Sequence, residues 1–363
     1  MTTKPPFYIK STFILLGIVL LCAILYILAD ILIPISLSIM LALMLNPLVN
    51  RLQRWKIPHA LAIFSAMLIA LIVFLAVGYF LTSQIISFGN DLPTLKQKFA
   101  GLFAKGQVAL LDHFNIPVAK QNQWFSEAEN GIKPILSRLM GSALGSMSVA
   151  ILLPVYTFMF LYYKKLLLNF LYEVFAESNA SNVAEVLEKT KAAIQSYALG
   201  LLIEGLIVAT LNSIALLLLG VKYAILLGVI GAIVNVLPFV GGIIAVIPPV
   251  IVATITKDGM QTQLLVIISY IVIQFTDNHF LVPFIVSSKV RINALISIVV
   301  VLLGGALWGI AGMFLSIPFV GVLKIIFDRI DDLKPWGKLL GDEIPTMHKG
   351  QLWRRKKKKT LVE

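Results

Sequence analysis

Charge is scarce in this chain of 363 residues: Asp, Glu, Lys and Arg make up only 13% of it, where a soluble globular domain runs nearer one quarter. Hydrophobic residues fill 59% and the mean hydropathy is +0.92. That balance excludes a soluble domain and predicts an integral membrane protein. Cysteine is nearly absent too. The single Cys22 excludes an intrachain disulfide and leaves no trace of a redox compartment. With four His and one Cys, no clustered zinc site is expected. The chain contains no GxxxxGK[ST], GxGxxG, HExxH or GxSxG. ATP-driven transport within the chain and the standard hydrolase and dinucleotide sites are therefore not expected. The expectation is a protein that is not an enzyme and has no cofactor and no metal.

Acidic residues are outnumbered, 18 against 30 Lys and Arg, for a net charge of +12. Seven of the basic residues lie in KGQLWRRKKKK, residues 349 to 359, leaving about +5 for the remainder. A basic cluster past the last apolar run marks a cytoplasmic tail facing anionic lipid headgroups rather than a nucleic-acid binder.

What is abundant is apolar runs. A span needs about 20 such residues, because the hydrocarbon core is about 30 Å thick and a helix rises about 1.5 Å per residue. Residues 13 to 33 have the wrong flanks for a cleaved signal peptide and read as a retained span. Pro34 separates them from residues 35 to 50, which predicts a helical hairpin with both ends cytoplasmic, since Lys4 and Lys10 precede it and Arg51, Arg54 and Lys56 follow. Residues 1 to 83 thus form an N-terminal transmembrane region. Residues 84 to 141, broken at Asp91-Leu92-Pro93 and Asn115-Ile116-Pro117, are expected to form an external helical domain. Residues 142 to 198 supply a span ending at Lys164 and Lys165 and a cytoplasmic amphipathic segment. Residues 199 to 332 are the expected transport core, and 333 to 363 the basic tail.

Two runs in that core, residues 223 to 256 and 294 to 327, are each 34 residues long. As single helices they would extend about 51 Å, yet two full spans need about 40 residues. Both carry internal breakers: Pro238, Gly241 and Gly242 in the first, Gly304, Gly305 and Pro318 in the second. Two re-entrant helical hairpins are the economical reading, with two tight transmembrane pairs as the alternative. GVIGAIVNVLPFVG (228 to 241) resembles GIAGMFLSIPFVG (309 to 321), which suggests an inverted repeat of the kind that places a site near the midplane. Recurrence of a common Gly/Pro membrane pattern would explain the likeness equally simply.

Polar residues inside these runs are expensive and normally face protein or water. Asp30 is near a span end and can reach the interface. Glu204, with Asn212 beyond it, lies within a span and reads either as a cation or proton site or as structural glue. The densest group is QFTDNHFLVP, residues 274 to 283. On a helix Gln274, Asp277 and Asn278 share one face, with His279 nearby, and Pro283 frees a backbone carbonyl, expected to be that of His279. Oxygen-rich ligands of this type suit a hard cation or a polar solute's hydroxyls. A kinked helix whose polar groups merely cap the kink is the bland counterpart. Asn235, three residues before Pro238, would join the cluster if the first hairpin packs against this span.

The order of these pieces resembles the autoinducer-2 exporter family of bacterial membrane proteins. The likeness is carried by SYALGLLIEGLIVATLNSIALLLLGVKYAILLGVIGAIVNVLPFVGGIIAVIPPVIVA (196 to 253), by Asn278 to Pro283, and by LLGGALWGIAGMFLSIPFVGVLK (302 to 324). It departs at Ser287-Ser288 and Asn293-Ala294, where family members tend to carry Gly and a His-Pro pair. The resemblance implies a multi-pass inner-membrane transporter that is a homo-oligomer, a pentamer among the implied forms. It further implies efflux of a small polar signalling molecule or, for other members, sodium/proton antiport. The residues expected to bind solute or ion are Gln274, Asp277, Asn278, Asn235 and Glu204. A non-transporting membrane scaffold or sensor is the remaining alternative.

Overall fold

The structure, a computed structural model, describes residues 6–124, 126–127, 130, 147–236, 241–257, 259–286 and 292–342. The basic tail, Pro238, and all of 131 to 146 lie outside them. All regular structure among the described residues is helical: α1 (Phe7–Ile27), α2 (Ala29–Arg54), α3 (His59–Phe114), α4 (Met147–Tyr162), α5 (Lys164–Leu218), α6 (Ala224–Asn235), α7 (Gly241–Thr256), α8 (Gln261–Thr276) with a π-helical extension Asp277–Val286, α9 (Ala294–Phe327) and α10 (Lys334–Leu340). Five helical segments are long and apolar enough to cross a membrane, and six if the pair α4 and the start of α5, bent by 65° at Tyr163, counts as one span.

Two cores organise these helices. In α2, Pro34, Ser38, Ala42 and Asn46 recur every fourth residue and are buried, so one stripe faces inward. Ala42, Val49 and Leu52 of that helix pack with Ala62, Ile63 and Ala66 of α3 and Leu161 of α4. Ser38 Oγ donates to the Leu153 carbonyl at 3.1 Å. The second core joins Leu216, Val221, Ala224, Leu227, Ala245, Val252, Ala253, Val266 and Tyr270, and therefore α5 through α8. This core holds the site.

Several expected breaks fall elsewhere. Pro34 lies inside α2, held in its buried stripe, and the chain deviates at Leu28 instead. There the ladder is carried across by Leu28 N–H to Ile24 O (2.9 Å) and Leu32 N–H to Leu28 O (2.9 Å). No reversal occurs at Pro34. Pro93 also sits within a helix, the 56-residue α3; its ring opposes the carbonyl of Gly89, whose surroundings are open. At about 84 Å, α3 carries the expected span and the start of the expected external domain as one rod. Asn115 does end it, in the left-handed conformation with φ 54°. Likewise the amphipathic segment and the span after it are one helix, the 55-residue α5.

Both 34-residue runs double back. In the first, a Cβ built on Gly231 would lie 3.6 Å from the Ala245 Cβ, and one on Gly241 would lie 2.7 Å from the Asn235 Cα, so α6 and α7 fold against each other. In the second, the turn is at Trp308 (φ −131°, ψ 18°) and Gly309 (φ 59°, ψ −138°). The expected breakers are not there: Gly304 and Gly305 are contact positions on the outgoing arm, and Pro318 is accommodated inside the returning one. Gly309 is the residue able to take the positive φ that the reversal needs, while Gly304 faces the backbone of Gly312 closely enough that neither position has room for a side chain. Each arm of α9 is shorter than the roughly 20 residues of a full span, although the run as a whole meets the span criterion by length and composition.

Candidate functional site

The site is built where α5, α6 and the α8 extension meet. On α5, Glu204, Val208, Asn212 and Leu216 are spaced by four residues and all are buried, so the face that packs inward also carries the polar groups. On α8, Val266, Tyr270 and Asp277 form the buried face, with Gln274 half-buried between them. Glycines let α6 and α7 come close enough to reach both. A Cβ on Gly228 would meet the Ser213 backbone nitrogen at 2.6 Å, and one on Gly242 would strike the carboxamide of the Gln274 side chain, with the adjoining Cγ methylene 3.1 Å away.

Asn235, the last residue of α6, is the bridge. Its Nδ2 donates to Asp277 Oδ2 at 2.8 Å and lies 3.5 Å from Glu204 Oε1. Gln274 Nε2 donates to Asp277 Oδ2 at 3.4 Å and to Asn278 Oδ1 at 3.3 Å. Asp277 and Glu204 are 2% and 5% exposed. The structure therefore brings together Glu204, Asn235, Gln274 and Asp277, from three elements, and sets Asn278 at the exposed edge. Pro283 lies in the π-helical extension. In a π ladder the carbonyl that loses its partner to a proline is five residues back, so the freed carbonyl belongs to Asn278 rather than to His279, as a regular α-helix would have it. His279 turns away: it is exposed, stacks on Phe275 at 4.2 Å, and its Nδ1 lies 3.0 Å from the Phe275 carbonyl. Pro238 lies outside the described residues.

Two residues beyond the expected set border the site. A Cβ on Gly231 would be 3.3 Å from Asn212 Nδ2 and 3.5 Å from Tyr270 Oη. Asn212 stands out in the sequence as polar within a span, but its membership shows only in its spacing, eight residues after Glu204. Tyr270, seven before Asp277, carries the same kind of signal.

Electrostatically the site is unbalanced. Among the described residues neither Glu204 nor Asp277 has an ion-pair partner. An uncompensated buried carboxylate costs several kcal/mol, and a bound proton or cation is the kind of group that offsets such a cost. Amides and carboxylates are the ligand types that hold a monovalent cation or a proton while offering hydrogen bonds to a polar solute.

The model of the AI-2E family transporters matches residues 14–332. The chain belongs to that family. It is 26% identical to the AI-2 transport protein TqsA of Escherichia coli (strain K12) over 335 residues, which is 91% of this chain and 95% of that protein. It is 26% identical to YueF of Bacillus subtilis (strain 168) over 298 residues, 78% of this chain and 80% of the relative, and 32% identical to YrrI of the same organism over 130 residues, 36% of each. As an AI-2E family member this is a multi-pass membrane transporter, and the matched segment contains the whole Glu204, Asn235, Gln274, Asp277 cluster.

Proposed function

We propose that this transporter exports a small polar organic solute of the autoinducer-2 kind across the inner membrane, in exchange for a proton or monovalent cation bound between Glu204 and Asp277. The observation that carries the reading is the Asn235 bridge: one amide serving two buried carboxylates that have no basic partner among the described residues, at the end of α6 that leads into α7 of the doubled-back run. Substrates of this class need hydrogen-bonding groups at depth, and Gln274, Asp277, Asn278 and Asn235 provide them. Two short-armed, doubled-back runs support a re-entrant arrangement, in which broken backbone lines a protein-walled site. Cytoplasmic termini, a lipid-facing basic tail and homo-oligomeric assembly complete the proposal; family membership and the apolar outward faces of α1 and α3 support them.

A second reading, exchange of Na⁺ or Li⁺ for H⁺ with no organic solute, is favoured by the oxygen-rich character of the cluster. Purified protein in proteoliposomes separates the two. Autoinducer-2 efflux from preloaded vesicles lost in Asp277→Asn supports the first reading. A proton flux after a Na⁺ or Li⁺ pulse, lost in Asp277→Asn with no solute efflux in the wild type, supports the second. Wild-type transport of either kind that survives alanine at Gln274, Asp277 and Asn278 together would remove the site assignment.

A further inference from the structure

A proline inside a helix leaves the carbonyl one turn back without its donor. In the returning arm of α9, Pro318 does this to Phe314. That carbonyl is not left unpaired. Tyr197 Oη of α5 donates to it at 3.3 Å, and the Tyr197 and Phe314 rings lie 6.2 Å apart at 51°. A second tie is found just past the far end of the arm, where Arg329 pairs with Glu185 of α5. From Glu185 to Tyr197 is about 18 Å along α5, and from Arg329 back to Phe314 is about 22 Å along the arm. The two segments therefore run antiparallel, side by side. Tyr197 stands seven residues before Glu204, on the same face of α5 and about two turns from it. The arm thus covers the approach to Glu204 from the Glu185 end of α5.

We propose that the Tyr197 hydroxyl, on the carbonyl that Pro318 frees, is the latch of a gate: it holds the returning arm of the second run over the α5 face that leads to Glu204, and its release opens that face to solute and ion. The role in transport rests on the reading that Glu204 and Asp277 are the coupling site. The ties at the two ends of the arm differ in kind. Its base is clasped by Arg329 on Glu185 and by Asn293 on the Leu339 and Gly341 carbonyls. At depth the hold on α5 is one uncharged bond, long at 3.3 Å for an O–H donor, which ordinarily sits at about 2.7–2.8 Å. The hydrogen bond at the tip, from Trp308 Nε1 to the Leu25 carbonyl, is to α1 rather than to α5. Pro318 also removes a rung of the helix ladder, so the arm bends there more easily than elsewhere. Hinge and latch are one turn apart, and a bend at the first releases the second.

The test uses full-length protein in lipid nanodiscs. Cys22→Ser removes the single native thiol, and Leu201→Cys, at a half-buried position of α5 between Tyr197 and Glu204, reports access to a charged maleimide. Tyr197→Phe keeps the ring contact and deletes only the hydroxyl. It is expected to raise the labelling rate about 2- to 10-fold, the population shift that follows loss of one uncharged hydrogen bond. Pro318→Ala returns an N–H to the missing rung for the Phe314 carbonyl to accept, so adding Tyr197→Phe to it is expected to change labelling less than twofold. A second reporter, Ala62→Cys, at a fully buried position of the other core, is expected to label no faster in Tyr197→Phe, which separates an opened gate from a loosened protein. Labelling at the first reporter that is unchanged by Tyr197→Phe, or raised equally with and without Pro318→Ala, or accompanied by faster labelling at the second, overturns the latch and leaves the carboxylate reading intact. Asp277→Asn transporting at the wild-type rate in vesicles overturns the carboxylate reading instead, and labelling, which needs no transported solute or ion, still decides the latch.

Discussion

Replacing Asn235 with leucine tests the site most directly, because the side chains are nearly the same size while the change removes the one donor shared by both carboxylates. The bond to Asp277 is short, at 2.8 Å, and that to Glu204, at 3.5 Å, is at the limit of a hydrogen bond. The first therefore carries nearly all the energy. A hydrogen bond to a charged group is worth about 1.5–3 kcal/mol, so about 2 kcal/mol is lost from every state in which Asp277 is charged. At 1.4 kcal/mol per factor of ten this is about 30-fold. In states where Asp277 is neutralised by a proton the loss is nearer the 0.5–1.5 kcal/mol of an uncharged bond, so the cycle is slowed and not simply shifted. Vesicle flux measured at limiting external cation, against Tm of the purified protein as the folding control, should show about a 30-fold fall with a Tm within a few degrees of wild type. Flux within twofold of wild type would refute the reasoning, since it would mean that Asp277 is never charged during the cycle or that Asn235 is not its partner.

Alanine at Gly304 is expected to lower the Tm by several degrees, because its Cβ would be driven against the Gly312 backbone and overpacking costs about 1–3 kcal/mol; alanine at Gly78, which has open space around it, should leave Tm unchanged or slightly higher. Asn293→Ala should cost about 1–2 kcal/mol in a denaturation series, since it removes the cap to the Ile296 N–H (2.8 Å) together with the bonds to the Leu339 (2.7 Å) and Gly341 (3.1 Å) carbonyls. Tyr223 is pushed up to about 12 by burial and by its hydrogen bond to Asp91. Since the folded value lies above the usual value of about 10, the stability it confers is fully present below about pH 10 and is lost as pH rises toward 12. The Tm gap between wild type and Tyr223→Phe should accordingly be constant from pH 7 to 9 and close above pH 10; a gap that widens there would contradict the assignment.

The grouping of the polar side chains was legible because it follows helical spacing. Gln274 and Asp277 share a face by period alone, and Asn235 joins them because Gly228, Gly231 and Gly242 strip side chains from the surface that must approach. The breaks were harder to read, and for one reason. A proline removes one N–H and crowds one carbonyl, a cost of about 3 kcal/mol, and a buried stripe can offset that. Pro34 is carried within the packed face of α2, and Pro93 opposes an unencumbered Gly89. A glycine permits a reversal without compelling it, so composition could not distinguish Gly309, which takes a positive φ, from Gly304 and Gly305, which serve as contact surface. Asn293 could not be assessed from the family pattern either. Where the resemblance led to the expectation of a His-Pro pair, this chain has a residue that caps α9 with its oxygen and clasps the end of α10 with its nitrogen.

The two Pro-Phe-Val-Gly elements bear on whether the doubled-back runs are equivalent. In the first, the motif lies in the sequence between the end of α6 at Asn235 and the start of α7 at Gly241, its first three residues outside the described ones. In the second, the reversal is at Trp308 and Gly309, and Pro318 to Gly321 are well down the returning arm. In the second run the shared letters therefore do not mark the turn. The polar residues ahead of the two motifs differ as well. Asn235, three before its proline, reaches across to two carboxylates, whereas Ser316, two before Pro318, satisfies itself on the Met313 carbonyl at 2.7 Å. The second run is instead held from outside: Trp308 Nε1 at its tip donates to the Leu25 carbonyl at 2.9 Å, and Asn293 closes its base. The first run thus supplies Asn235 to the polar cluster, while the second is anchored to α1 at its tip and to α5 through the bond from the Tyr197 hydroxyl to the Phe314 carbonyl.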